Sequence, residues 1–587
     1  MTMFRRGLCI LPVLFLSGNC QFLFPFLHFD NPASNGLNFG SDGDITKEGV
    51  AQDNVETAYK GKWELFTENS GVSAMHLLIL PKIDQALMFD ATVWKISKLK
   101  LPGPPCRIVE GTNEQDCFCH SVLLDIETAK IRPLRLNYDT WCSSGALDVN
   151  GRLVSTGGYN NGSDTVRILD ICPNCEWQEY PGALGNGRWY ATQVTLGDGR
   201  FMVFGGRNFP TYEFVPPEGQ RNAKNQVFPF KFLAETHDPV ENNLYPFVYL
   251  STDGNLFIFA NNRSILLNPN TQQILHEFPV LPGGARNYPA SGSSCLLPIR
   301  LQPDETRKLI PAEVLICGGT SHEAFTLADL KRPKVFVPAN KDCARIDITK
   351  RNGKWKIQTM PSPRIMGDAV VLPTGDVLLI NGAQSGSAGW DDARDPNFTP
   401  VVYHVHGQKG GSKFTELAPS KIARLYHSSS VLLPDGKILI AGSNTNPGYM
   451  DNALFPTEVR VEKFSPHYLD PKLAKFRLEI VLDQSTNQIN YGKRFTVQIR
   501  GDDEALDEQK LQVNIYYPAF TTHGISMNQR LVQLGTVQVI KNVAPKTHNI
   551  ILQAPINGNI APPGYYMLFV TYNGVPCRRA MWVQLLL

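Results

Sequence analysis

An apolar strand that follows an Asp-Gly or Asn-Gly turn, and often ends in Gly-Gly, recurs along most of this chain. Clear copies are 151–158 (GRLVSTGG), 198–206 (DGRFMVFGG), 253–261 (DGNLFIFAN), 374–382 (TGDVLLING) and 435–442 (DGKILIAG). A further copy, 313–319 (EVLICGG), follows a longer loop, and 84–90 (DQALMFD) is a degenerate first one. The Asx-Gly pair supplies the positive φ that a tight hairpin needs. Gly151, Gly199 and Gly254 follow one another at 48 and 55 residues, and Gly375 and Gly436 are 61 apart. That interval fits one four-stranded propeller blade. The competing reading is a β-sandwich array, whose strands also turn every ~8–12 residues. The recurrent Gly-Gly at one phase favours a seven-bladed β-propeller over 72–464.

The pattern then changes. Residues 465–587 alternate apolar and polar positions, as in Phe495-Thr-Val-Gln-Ile and Tyr566-Met-Leu-Phe-Val, with no Gly-Gly repeat. This predicts a separate Ig-like β-sandwich, giving an all-β chain. Within it, Ala519-Phe520-Thr521-Thr522-His523-Gly524 places a histidine in a polar, turn-like segment.

Charge is nearly balanced, 56 Lys+Arg against 54 Asp+Glu. Nothing in it calls for a nucleic-acid partner. Residues 1–20 read as a secretory signal: Arg5 and Arg6 precede an apolar run, Leu8 to Leu16, too short to span a bilayer. A short N-terminal anchor is the alternative. Residues 21–71 form an N-terminal segment, and no later run is long enough for a membrane span. Secretion, to the extracellular space or cell wall, agrees with sequons at Asn161, Asn262 and Asn397. Most of the ten cysteines left after the signal are expected to pair. Cys172-Pro-Asn-Cys175 has the spacing of a tight disulfide or of a zinc half-site, but no second C-x2-C exists. Cys106, Cys117 and Cys119 lie close together, as do Cys317 and Cys343, and spacing leaves their pairing open.

One phase of the repeat carries unusual residues. Cys142 lies nine residues before Gly151, Tyr190 nine before Gly199 and His427 nine before Gly436. In equivalent hairpins these side chains occupy equivalent places and gather on one rim. A thiol, phenols (Tyr190 and Tyr426) and an imidazole together read as a metal or redox site. Tyr245 and Met366 share the phase, nine before Gly254 and Gly375. Tyr288, with Arg286 beside it, opens the longer blade. Tyr245, Tyr288 and Arg286 are therefore candidates for substrate contact, Arg286 for holding a substrate oxygen, with blade packing as the plain alternative. Taken singly, a Cys, Tyr or His in such a chain is usually a packing residue.

The motifs Thr140-Trp141-Cys142-Ser143-Ser144-Gly145, Arg188-Trp189-Tyr190-Ala191-Thr192, Arg424-Leu425-Tyr426-His427-Ser428-Ser429 and Thr521-Thr522-His523 together resemble the galactose oxidase/glyoxal oxidase family of secreted copper-radical oxidases. The likeness is greatest to the plant glyoxal-oxidase-like branch and covers nearly all of the chain after the signal. It implies a kelch-like propeller and a galactose oxidase-like C-terminal domain. It also implies one copper held by Tyr190, Tyr426, His427 and His523, with a Cys142–Tyr190 thioether as radical cofactor. The chemistry needs such a set: two imidazoles and two phenols suit Cu(II), and removing two electrons takes a second one-electron centre beside the metal. The implied reaction oxidises small aldehydes such as glyoxal or methylglyoxal with O2, giving carboxylic acids and H2O2. A primary-alcohol oxidase with the same centre, or a silent propeller that binds wall components or proteins, are the alternatives. Two departures stand out. About 50 residues between signal and first blade leave no room for the sugar-binding domain of fungal galactose oxidases. Asn208, after Gly205-Gly206, stands where those enzymes stack a Trp on the modified ring. Both point away from galactose.

Overall fold

A computed structural model describes residues 57–587, apart from Glu110, Pro173, 408–410 and 502–505. The expected signal (1–20) and residues 21–56 of the N-terminal segment lie outside the described residues. The chain is all-β, and among the described residues no helix is long and apolar enough to cross a membrane.

Between Lys62 and Ser465 the strands form short four-stranded antiparallel meanders. One runs Ser144–Leu147, Leu153–Thr156, Val166–Leu169, Gln178–Tyr180; the next Ala191–Thr195, Phe201–Gly205, Thr211–Phe214, Val227–Pro229. The last combines the early strand Lys62–Thr67 with Val461–Ser465, Ile438–Gly442 and Ser428–Leu432, pairing Trp63 with Phe464. The inner strands are apolar throughout because a neighbouring sheet covers both faces, whereas outer strands such as Ile274–Glu277 and Lys356–Thr359 are largely exposed. Val194, Met202, Phe204, Val248, Leu256 and Ile258, for instance, make one cluster between two meanders.

The recurrent Gly-Gly has a steric cause. A Cβ on Gly157 would lie 2.0 Å from the Arg188 carbonyl, and one on Gly318 1.9 Å from that of Arg364. A buried arginine clamps the same corner in sheet after sheet. Arg188 donates to Gly205 O at 2.6 Å, Arg424 to Gly442 O at 2.8 Å, and Arg286 to Gly318 O.

Two further four-strand groups are the ends of a ten-stranded sheet, and a hairpin from the C-terminal region joins them. Phe520–Thr522 pairs antiparallel with His76–Leu80, setting Thr522 opposite His76. Ile525–Met527 pairs parallel with Ser293–Leu296. His523 and Gly524 form the tip, both at positive φ. The rest of the C-terminal region is two sheets. One is centred on Leu511–Tyr517 and Gly564–Tyr572; the other holds Glu479–Ile480, Arg494–Arg500, Thr547–Gln553 and Gly535–Ala544.

Disulfides join Cys106 to Cys117, Cys172 to Cys175 and Cys317 to Cys343. The Cys172/Cys175 pair is thus a bridge and not a zinc half-site. Six of the ten cysteines after the signal therefore pair, as an oxidising compartment predicts, and Cys119, Cys142, Cys295 and Cys577 are buried thiols.

Candidate functional site

The shared phase has a backbone counterpart. Cys142, Tyr190, Tyr245, Met366 and His427 all sit just before the first strand of a sheet at φ 56°, 63°, 50°, 56° and 62°. Ser291, at φ 45° before Ser293–Leu296, belongs with them although no turn glycine marked it. This left-handed conformation turns each side chain out of strand alternation. Backbone bonds link neighbours: Tyr190 N donates to Cys142 O (3.1 Å), Tyr245 N to Tyr190 O (2.9 Å) and Met366 N to Ser291 O (2.7 Å).

The ligating atoms of Cys142, His427 and His523 lie within 4.8 Å of one another, all buried. Cys142 Sγ is 3.2 Å from His523 Nε2. Thr522 Oγ1 lies 2.7 Å from His523 Nδ1, which leaves Nε2 to face the centre. His427 Nδ1 and Nε2 are both buried without a hydrogen-bond partner among the described residues. Its ring lies 4.7 Å from that of His523 and 3.8 Å from that of Tyr426. A line of phenols completes the group: Tyr190 donates to the Tyr288 hydroxyl at 3.1 Å, and Tyr288 and Tyr426 hydroxyls are 2.9 Å apart. Ser291, Met366, Ala388, Tyr426, His427 and His523 meet around a gap too tight to hold a water molecule.

Burial governs the electrostatics. It pushes the pKa of His427 and of His523 well below the ordinary value, so both imidazoles are neutral with lone pairs to offer. It pushes the phenols of Tyr190 and Tyr426 well above theirs, with Cys142 and the neighbouring tyrosines adding to the rise. The Cys142 thiol is raised likewise. A buried imidazole with no partner on either nitrogen costs about 1–3 kcal/mol. A cation would satisfy His427 and favour ionised phenols. The donor set, imidazole nitrogen with phenol oxygen, is that of Cu(II). These residues fit the metal.

The expected substrate contacts fare differently. Tyr288 is half-buried and faces the cluster. Tyr245 is fully buried and donates to Ser143 O at 2.9 Å, so it packs behind the site instead of meeting substrate. Arg286 is also withdrawn: its terminal amino groups bind Asp342 Oδ1 and Oδ2 at 2.9 and 2.7 Å and backbone carbonyls besides, making it a corner clamp. The ring cover that Asn208 does not supply comes from elsewhere. Tyr288 stacks on Tyr190 at 4.4 Å and Trp189 packs at 4.8 Å. Among the sequons, Asn161 and Asn262 are half-exposed. Asn397 is buried and its amide donates to Ser362 Oγ and Pro363 O, a position a glycan does not fit.

Sequence reading missed His76. It is fully buried, with Nε2 3.0 Å from Thr140 O and 3.3 Å from Ser143 Oγ, and burial lowers its pKa to about 3. Its place opposite Thr522 in the degenerate first repeat gave no signal.

The fold is that of the galactose oxidase-like proteins. A solved fungal alcohol oxidase in complex with copper superposes with a TM-score of 0.67 over 90% of this chain and 100% of that one, at 19% identity. The sequence models for "Glyoxal oxidase N-terminus" and "Galactose oxidase-like, Early set domain" match residues 75–468 and 478–585. Aldehyde oxidase GLOX1 of Arabidopsis thaliana is 53% identical, covering 90% of this chain and 85% of the relative. Aldehyde oxidase GLOX of Vitis pseudoreticulata is 40% identical over 89% and 97%. The chain belongs to the glyoxal oxidase family.

Proposed function

We propose that this protein is a copper-dependent oxidase of small aldehydes, RCH(OH)2 + O2 giving RCOOH + H2O2. The observation that carries it is the convergence of Cys142, Tyr190, Tyr426, His427 and His523 from separate segments on one buried point. The aldehyde oxidases among its relatives agree. His427 Nε2 or Nδ1, His523 Nε2, Tyr190 and Tyr426 would hold the copper. Once bound, the copper supplies a one-electron acceptor that ionises the phenols beside it. Tyr426 would take the proton of a substrate hydroxyl, and Tyr190, in its one-electron-oxidised oxyl form and tuned by a thioether to Cys142, would take the hydrogen atom from carbon. Tyr288, half-exposed between them, orients the hydrated aldehyde, whose gem-diol presents the O–H and C–H that this chemistry requires.

Several finer readings go with this one. The four-strand groups are seven kelch-like blades, 72–464 joined by the early strand Lys62–Thr67 that completes the last blade, arranged about the Phe520–Met527 hairpin, with an Ig-like domain over 465–587. The protein is secreted, with glycans at Asn161 and Asn262, and associates with the cell wall. One observation favours a second reading of Cys142: its Sγ lies as close to the imidazoles as a direct thiolate ligand would. Peptide mapping separates the two, since only the thioether joins the Cys142 and Tyr190 peptides.

The test is H2O2 production by the copper-loaded chain across aldehydes and primary alcohols. Glyoxal or methylglyoxal should exceed galactose at least about tenfold in kcat/KM, about 1.4 kcal/mol of differential binding. Equal or better turnover of galactose replaces this reading with the alcohol oxidase.

A further inference from the structure

Beside the centre lies a group of rings that the reaction does not use. Trp189, packed on Tyr190, lies 5.0 Å from Trp141 and 4.5 Å from Tyr159. Trp141 stacks on Trp390 at 5.5 Å with planes 5° apart. Trp94 closes the far side, 5.4 Å from Trp141 and 4.7 Å from Trp390. Trp390 is carried by the tip of an inserted hairpin, Ala383–Gly386 with Ala393–Pro396. Trp141 is buried, whereas Trp94, Trp189 and Trp390 are partly exposed, so the series leaves the Tyr190 ring through Trp189, at the surface on one edge, and continues through Trp141 to a second exposure at Trp390 and Trp94.

Plain packing does not account for it. The indole N–H groups of Trp94, Trp141 and Trp390 are buried with no acceptor among the described residues. Each costs about 1–3 kcal/mol that an aliphatic side chain of similar volume would not. The rings pack edge-on or stacked against one another. The arrangement does suit electron transfer. An indole that loses an electron becomes acidic at its N–H. With no acceptor the proton stays, and the electron vacancy moves to the next ring. The Arg207 guanidinium, 5.3 Å over Trp189, disfavours positive charge resting on that ring.

We infer that Trp189, Trp141, Trp390 and Trp94 form an electron route between Tyr190 and the surface. Through it an outer-sphere one-electron oxidant, which cannot touch the buried Tyr190 ring, converts Tyr190 to its radical form. The inference rests on the proposed role of Tyr190 as radical carrier. Tyr190, ionised in the copper-loaded enzyme, loses one electron and the oxidant gains one, hexacyanoferrate(III) becoming hexacyanoferrate(II). No bond breaks and no proton leaves an indole.

The test uses the copper-loaded full chain, reduced by one electron and mixed rapidly with hexacyanoferrate(III). Growth of the Tyr190 radical absorption is followed in the wild type, in Trp390→Phe and in Trp141→Phe/Trp390→Phe. The double variant should form the radical at least about tenfold more slowly (1.4 kcal/mol). Its copper content, its linked Cys142–Tyr190 peptide and its turnover once fully oxidised should be unchanged. If the double variant folds poorly, the half-exposed Trp390→Phe alone should still slow the step severalfold. Equal rates in wild type and variants overturn the route. A wild type that forms no radical with any oxidant overturns instead the reading of Tyr190, and the route with it.

Discussion

The first strand of each sheet has two ends, and the chain treats them in opposite ways. At one end the positive φ falls on glycine: Gly151, Gly199, Gly254, Gly375 and Gly436 lie between 83° and 89°. At the other it falls on Cys142, Tyr190, Tyr245, Ser291, Met366 and His427. Glycine adopts this conformation freely, whereas other residues pay roughly 1–2 kcal/mol each. The turn end is therefore built for economy and the opposite end for what its side chains do. Strain kept where glycine would relieve it marks a functional surface.

Several experiments bear on this contrast. His523→Ala should weaken copper binding by more than about 100-fold, beyond the 10–100-fold of a supporting residue, while the strands stay folded. Copper stoichiometry and circular dichroism read both, and an unchanged Cu(II) spectrum would remove His523 from the site. Cys142→Ser should lower turnover at least about tenfold (1.4 kcal/mol). Peptide mapping of the wild type after copper loading in air should show a joined Cys142–Tyr190 pair lighter by two hydrogens. Two separate peptides from fully active enzyme would defeat the thioether.

Asp368, two residues beyond Met366, is fully buried, and burial raises its pKa to about 7 against the help of Ser430 and Asn381. The folded protein therefore holds a proton that the unfolded chain gives up at about pH 4. Stability contributed by the neutral acid is lost as pH rises from about 4 to about 7. Asp368→Asn should flatten that fall and stabilise the protein at pH 8 by a few kcal/mol, at about 1.4 kcal/mol per unit. Equal denaturation midpoints of variant and wild type at pH 8 would show that the site end tolerates the charge.

The smallest effects test the two ends directly. Gly199→Ala should cost about 1–2 kcal/mol, since a Cβ there also meets Val149 Cγ1 at 2.8 Å, with turnover intact. Ser291→Gly should gain up to about 1 kcal/mol because its buried hydroxyl has no partner and its backbone is relieved. A loss of stability in Ser291→Gly would mean that strain is not what distinguishes the ends.

The contrast also explains what could be read from the sequence. Tight Asx-Gly turns hold each first strand to nearly one length, so counting nine residues back from the glycine lands on the rim. That gave Cys142, Tyr190 and His427 their common place. Counting fixes height along a strand but not what stands beside it. Tyr245 has the right phase and still turns its hydroxyl to Ser143 O. Arg286 is taken by Asp342, 56 residues on. Ser291 was hidden because a longer loop replaces the turn glycine of its sheet. Of the tryptophan series, Trp141 and Trp189 share a phase, each ten residues before its turn glycine, whereas Trp94 and Trp390 come from segments that carry no such mark.

The Phe520–Met527 hairpin sets a schedule. His523 follows Cys142 by 381 residues and cannot meet it until most of the chain has been made. The pairing that carries it also bridges the strands at His76 and Ser294, so its arrival and the joining of the two wings are one event. A nascent chain holds cysteine, tyrosine and one imidazole long before the second imidazole is at hand. Completion of the buried cluster thus waits on the C-terminal region, and a chain that stops before His523 lacks one of its two imidazoles.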